Sequence, residues 1–98
     1  MNKLADSAVV TASRNQVSCD LFESILIYNI DMRSYHALEG VGGKLWRTIQ
    51  NPIAFGELLG ILAGEYDVAK PQLRKDMVEL LGELLEKGLV VIGKAGGE

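Results

Sequence analysis

Apolar and polar positions along the chain alternate first with a period of two and later with a period near 3.6, which places strands before helices. Residues 8–12 (Ala, Val, Val, Thr, Ala) are β-rich and could start a strand, and Ser13, Arg14, Asn15 and Gln16 are turn-like. Val17, Cys19 and Leu21 then alternate with Ser18 and Asp20, a strand pattern with one wet face. Cys19 is therefore expected to point inward as a small hydrophobe. Residues 24–30 are almost continuously apolar and read as a central strand covered on both faces. Asp31 lies in the following turn, and 34–38 form the third strand of an antiparallel meander. On it Tyr35 and Ala37 face one way, and Ser34, His36 and Leu38 the other.

After that strand the period changes. Val41, Leu45 and Ile49 share one helical stripe flanked by Trp46 and Leu38. Gly42 and Gly43 weaken such a helix by about 1 kcal/mol each relative to alanine, so they mark a close backbone approach. Pro52 ends the helix near Gln50 and Asn51. A second helix starts near Ala54 and carries Phe55, Leu58, Leu59, Leu62 and Tyr66 at helical spacing. Pro71 suits the first turn of a third helix that runs to Lys87, with Leu73, Met77, Leu80, Leu81, Leu84 and Leu85 on a broad apolar face. Gly88 is placed as a left-handed stop, and the apolar run 89–92 adds a strand or packs as a tail. The expected fold class is α+β: a winged-helix-like domain with a three-stranded antiparallel sheet followed by three helices. The whole chain, 1–98, is read as one domain with frayed ends at about 1–7 and 93–98.

Composition narrows the function classes. Hydrophobic residues make up 48% of the 98, enough for a core without metals or disulfides. The net charge of −3 forces no basic face, so nucleic acid is not the expected partner. A single cysteine excludes an intrachain disulfide and a paired-cysteine metal knuckle, which suits a reducing compartment. The longest apolar run, 25–28, is too short for a bilayer, and the first residues have no signal-peptide pattern. A cytoplasmic location without membrane attachment is the expectation.

Catalytic chemistry is not visible. His36 is the one histidine, and no His-x-x-x-His pair or nucleophile elbow is present. The glycines of Gly40-Val41-Gly42-Gly43 are not followed by the lysine and hydroxyl residue of a phosphate loop. No cofactor or metal is expected, and the chain is not read as an enzyme. The strand 34–38 contains neither the proline nor the charge that usually blunts a sheet edge, so it could accept another peptide by strand addition. The bland alternatives are that residues 89–92 or a second copy cover it, and a homodimer is compatible with peptide binding. A winged-helix DNA-binding protein is the competing class, disfavoured because the exposed face of the third helix is mostly acidic, apart from Gln72, Arg74 and Lys75.

The ordered set Tyr35, Leu38, Glu39, Val41-Gly42-Gly43 and Leu45-Trp46 resembles the pyrroloquinoline quinone biosynthesis protein D family, whose fold is the RiPP recognition element. Downstream, Glu57-Leu58, Tyr66-Asp67-Val68, Asp76, Leu84, Leu85 and 86–90 continue the likeness, which spans about residues 16–92. Two positions depart from the family pattern: Arg33 replaces a turn glycine, and Glu39 replaces a helix-capping asparagine. The resemblance implies a domain that binds the leader segment of a ribosomally made precursor peptide, the leader adding to the third strand in a groove against the third helix. The residues implied are Arg33, Ser34, Tyr35, His36, Ala37 and Leu38 on the strand side. Leu73, Arg74, Met77, Leu80 and Leu81 are implied on the helix. A stand-alone chain of this length is similar to the recognition half of split lasso-peptide B proteins, which implies a separate cysteine-protease partner. A peptide chaperone of a pyrroloquinoline quinone or other radical-SAM pathway is the nearest alternative.

Overall fold

The computed structural model describes residues 4–93. Its elements are β1 (Val9–Ala12), β2 (Gln16–Leu21), β3 (Ser24–Asn29), β4 (Ser34–Glu39), α1 (Gly40–Thr48), β5 (Ile53–Ala54), α2 (Phe55–Glu65), α3 (Lys70–Glu86) and β6 (Val90–Gly93). The expected meander is present as the antiparallel sheet β2-β3-β4, with the three helices after it. A second antiparallel sheet, β5-β1-β6, goes beyond the expected single sheet. In it β1 pairs with β6 from Val9↔Gly93 to Ala12↔Val90, so the apolar run near 90 is a strand rather than a tail.

The two hairpins obey their loop lengths. Phe22 and Glu23 alone separate Leu21 from its partner Ser24, and Phe22 takes the left-handed backbone at φ +66° while 97% exposed. The second turn puts Arg33 at φ +54°, where the family pattern has glycine. Glu39 precedes α1 without any side-chain cap, in keeping with its departure from the capping asparagine. Gly42 is a close-approach site: a Cβ there would lie 3.4 Å from Leu80 Cδ2 and 3.7 Å from Leu38 Cδ2. Gly88 ends the α3 segment at φ +72°, and its N–H donates to the Leu85 carbonyl.

One core joins both sheets to the helices. Val10, Ile25, Ile27, Trp46, Phe55, Leu58, Leu62, Met77, Leu84 and Leu89 are all buried in it. Residues 4–7 are packed rather than frayed: Leu4 rests on the core, Gly56 N–H donates to the Asp6 carbonyl, and the Asp6 carboxylate pairs with Arg74. Residues 1–3 and 94–98 of the expected frayed ends lie outside the described residues.

The face assignment of β2 is corrected. Cys19 is exposed, and so are Val17 and Leu21 beside it. The face of β2 turned to α1 is the polar one. Trp46 Nε1 donates to Ser18 Oγ at 3.2 Å, and Arg47 Nη2 donates to Asp20 Oδ1 at 2.6 Å. An indole N–H at the edge of the core needs an acceptor, and Ser18 supplies it, which turns the neighbouring apolar residues outward.

Candidate functional site

Among the described residues, the side of β4 away from β3 has no strand partner. Which backbone groups it offers follows from one hydrogen bond. Ile30 N–H donates to the Asn15 carbonyl at 2.9 Å, continuing the β2–β3 ladder and making Asn15 and Ile30 a hydrogen-bonded pair. Such pairs alternate in an antiparallel ladder. Carried across β3, the alternation turns the main-chain groups of Asn29, Ile27 and Ile25 toward Ser34, His36 and Leu38. The N–H and C=O groups of Tyr35, Ala37 and Glu39 therefore point off the free edge.

Side chains on the inner face show that a groove lies beside this edge. Ile25, Ile27 and Asn29 on β3 are buried, whereas their β4 neighbours Leu38, His36 and Ser34 are only half-buried. The opposite wall is α3. At one end Leu80 and Leu38 both lie against Gly42. At the other, Asn29 Nδ2 donates to the Lys87 carbonyl at 2.6 Å, while Asn29 Oδ1 accepts from Met32 N–H at 3.0 Å. This fully buried amide pins the end of the α3 segment to the sheet. Ser34 Oγ lies 3.0 Å from His36 Nε2 along the same row. Burial, with Lys87 nearby, holds the His36 imidazole below its ordinary pKa, which favours the neutral ring.

The structure brings Ser34, His36, Leu38 and Leu80 together along this groove. Tyr35 and Ala37 are on the outer face, where Tyr35 is 67% exposed and its ring stands 4.7 Å from that of Tyr28. Arg33 is exposed in the turn before β4. Leu73, Met77 and Leu81 are buried in the core and present almost no surface to a ligand. Arg74 stands over the Phe55 ring at 5.5 Å and pairs with Asp6, contacts that lie on the α2 side of α3. Gly42, Asn29 and Lys87 were not among the residues the sequence singled out for the site. An asparagine closing an apolar strand before a turn is the signal that marks Asn29, since it seldom sits buried without a structural partner.

The other free edge of this sheet, β2, carries Asp20 in its ion pair with Arg47, which holds the Asp20 carboxyl below the usual carboxylate range. Among the described residues, no cluster of three or more His, Cys, Asp or Glu side chains is arranged to hold a metal ion. No helix among them is long and apolar enough to cross a membrane.

The family described as coenzyme PQQ synthesis protein D (PqqD) matches residues 25–90, which run from the second residue of β3 through β4 and all three helices to the start of β6. The solved structure of TbiB1 in complex with the TbiA(β) leader peptide is similar in fold, with a TM-score of 0.77 over 82% of this chain and 93% of that one, at 22% sequence identity. No curated protein matches the chain.

Proposed function

The chain belongs to the PqqD family, and from that premise we propose that it captures the leader segment of a ribosomally made precursor peptide by strand addition to β4. The observation that carries this reading is the free β4 edge, whose Tyr35 and Ala37 main-chain groups point outward beside a half-buried inner row. An extended peptide would satisfy those groups and set alternate side chains into the groove between β4 and α3. The fold shared with TbiB1, which was solved with a leader peptide, supports the same reading. The bound precursor is then handed to a separate cysteine protease of lasso-peptide maturation. This chain acts as its recognition subunit and not as its catalyst.

Titration of the purified protein with peptides encoded by short reading frames beside its gene tests the capture. A cognate leader should perturb the amide signals of 34–38 and of the α3 residues facing them. Perturbations confined to β1 or α2, with β4 silent, would sink the reading. The hand-over is tested by reconstitution: leader removal by the protease should depend on this protein, which alone cleaves nothing. The family description favours a second reading, a peptide chaperone in a coenzyme PQQ or related radical-SAM route. Binding of a coenzyme PQQ precursor peptide in preference to lasso precursors would select it.

A further inference from the structure

The β4 groove is chemically graded from end to end. At the Leu38 end it is apolar, with Leu38 and Leu80 both lying against Gly42, and Glu39 follows in sequence. At the Ser34 end it is polar and basic. Ser34 Oγ occupies His36 Nε2 and leaves Nδ1 as the free ring nitrogen. Lys87 is brought to this end because its carbonyl is bonded to Asn29, the cross-strand partner of Ser34. Arg33 is exposed just before Ser34. The ion pairs among the described residues engage Lys44, Arg47 and Arg74 and leave Arg33 and Lys87 without a carboxylate. The exposed acids Glu79 and Glu83 of α3 make the rest of the wall unfavourable to an acidic side chain.

An antiparallel strand added to β4 meets Leu38 before His36 as it is read from N to C. Its residues opposite those two are separated by one whose side chain points to the outer face. We propose that the groove selects a leader segment in which an apolar residue is followed two positions later by Asp or Glu, the apolar side chain seated on Leu38 and Leu80 and the acid held by His36 and Lys87. This deepens the strand-addition reading and rests on it. Lys87 is then a specificity-determining residue supplied by the end of the α3 segment.

The test is selection from a random dodecapeptide library displayed on phage against the full chain and against Lys87→Glu, with amide-shift mapping of the enriched peptides. The full chain should enrich the apolar-x-acid pattern on peptides that perturb 34–38. Lys87→Glu, an exposed position whose change leaves the fold intact, should weaken these peptides about fivefold and favour versions with Lys in place of the acid. Peptides that map to β4 without an acid at that spacing, or an unchanged preference in Lys87→Glu, overturn this inference and leave strand addition standing. A library that yields no peptide mapping to β4 overturns both.

Discussion

Among the described residues both edges of the β2-β3-β4 sheet are unpaired, but β2 turns Gln16, Ser18 and Asp20 toward α1 whereas β4 turns Ser34, His36 and Leu38 toward α3. Ser18 and Asp20 are each tied to a helical side chain, Trp46 or Arg47. An inward-facing acid with its own counterion is a poor neighbour for an incoming apolar strand, which is one of the ways natural sheets protect an edge. On β4 the row ends in leucine, and the polar residues bond to each other rather than to the helix. The two edges have similar main-chain geometry. What separates them is the side-chain row beneath each edge and the helix that faces it.

The largest expected effect comes from the tether that only the β4 side possesses. Asn29→Ala leaves the Lys87 carbonyl and Met32 N–H without the buried partner they share and should cost about 1–3 kcal/mol in urea unfolding. A loss well under 1 kcal/mol would mean that α3 is positioned without it. Next in size is a paired proline test. Ala37→Pro removes an outward donor from β4 and should weaken leader binding tenfold or more, about 1.4 kcal/mol. Ser18→Pro, which removes an outward donor from β2, should leave binding within about twofold once unfolding is measured alongside. Equal losses in the two would erase the distinction between the edges.

Arg33→Gly should raise stability by up to about 1 kcal/mol, because glycine takes φ +54° without a Cβ clash, and should at the same time weaken acidic leaders. A stability gain with no change in peptide affinity would remove Arg33 from the site. The smallest effect is in pH. His36 has its pKa lowered in the folded chain, by burial first and by Lys87 second. The unfolded chain therefore binds the proton more readily, and stability should decline as pH falls through the ordinary histidine range. His36→Gln should flatten that slope in melts between pH 7.5 and 5.5; an identical slope would assign it to other groups.

The strand 34–38 and its two faces were legible because period two fixes which residues travel together, and the glycines at 42 and 43 announced the helix that packs on Leu38. Period two does not say which face is wet, and that is where β2 misled. Hydrophobicity alone turns Val17, Cys19 and Leu21 inward. Trp46 N–H and Arg47, far away in sequence, recruited Ser18 and Asp20 instead. The apolar surplus on α3 was also misjudged. Leu73, Met77 and Leu81 were set aside for a ligand, but α2 and the β5-β1-β6 sheet share the core with them. Residues 8–12 and 89–92 each read as a possible strand, but the two residues of β5 are too few to leave a pattern and nothing local pairs chain ends this far apart, so their joining into a second sheet is not legible in the sequence.

The pairing of β1 with β6 carries a consequence for synthesis. Val9 finds Gly93 across almost the whole described chain, while the β2-β3-β4 meander and its helices are built from neighbours in sequence. Long-range closures of this kind form late, because the intervening chain must be ordered first. On the ribosome the meander can pair as it emerges, but Val10 has no β6 to lie against until the last strand is released. The nascent domain therefore passes through a stage with its β4 edge already formed and its core still open on the β1 side. The arrival of β6 closes the core beside β1 and shortens the exposure of that apolar surface, while the β4 edge is left as it was.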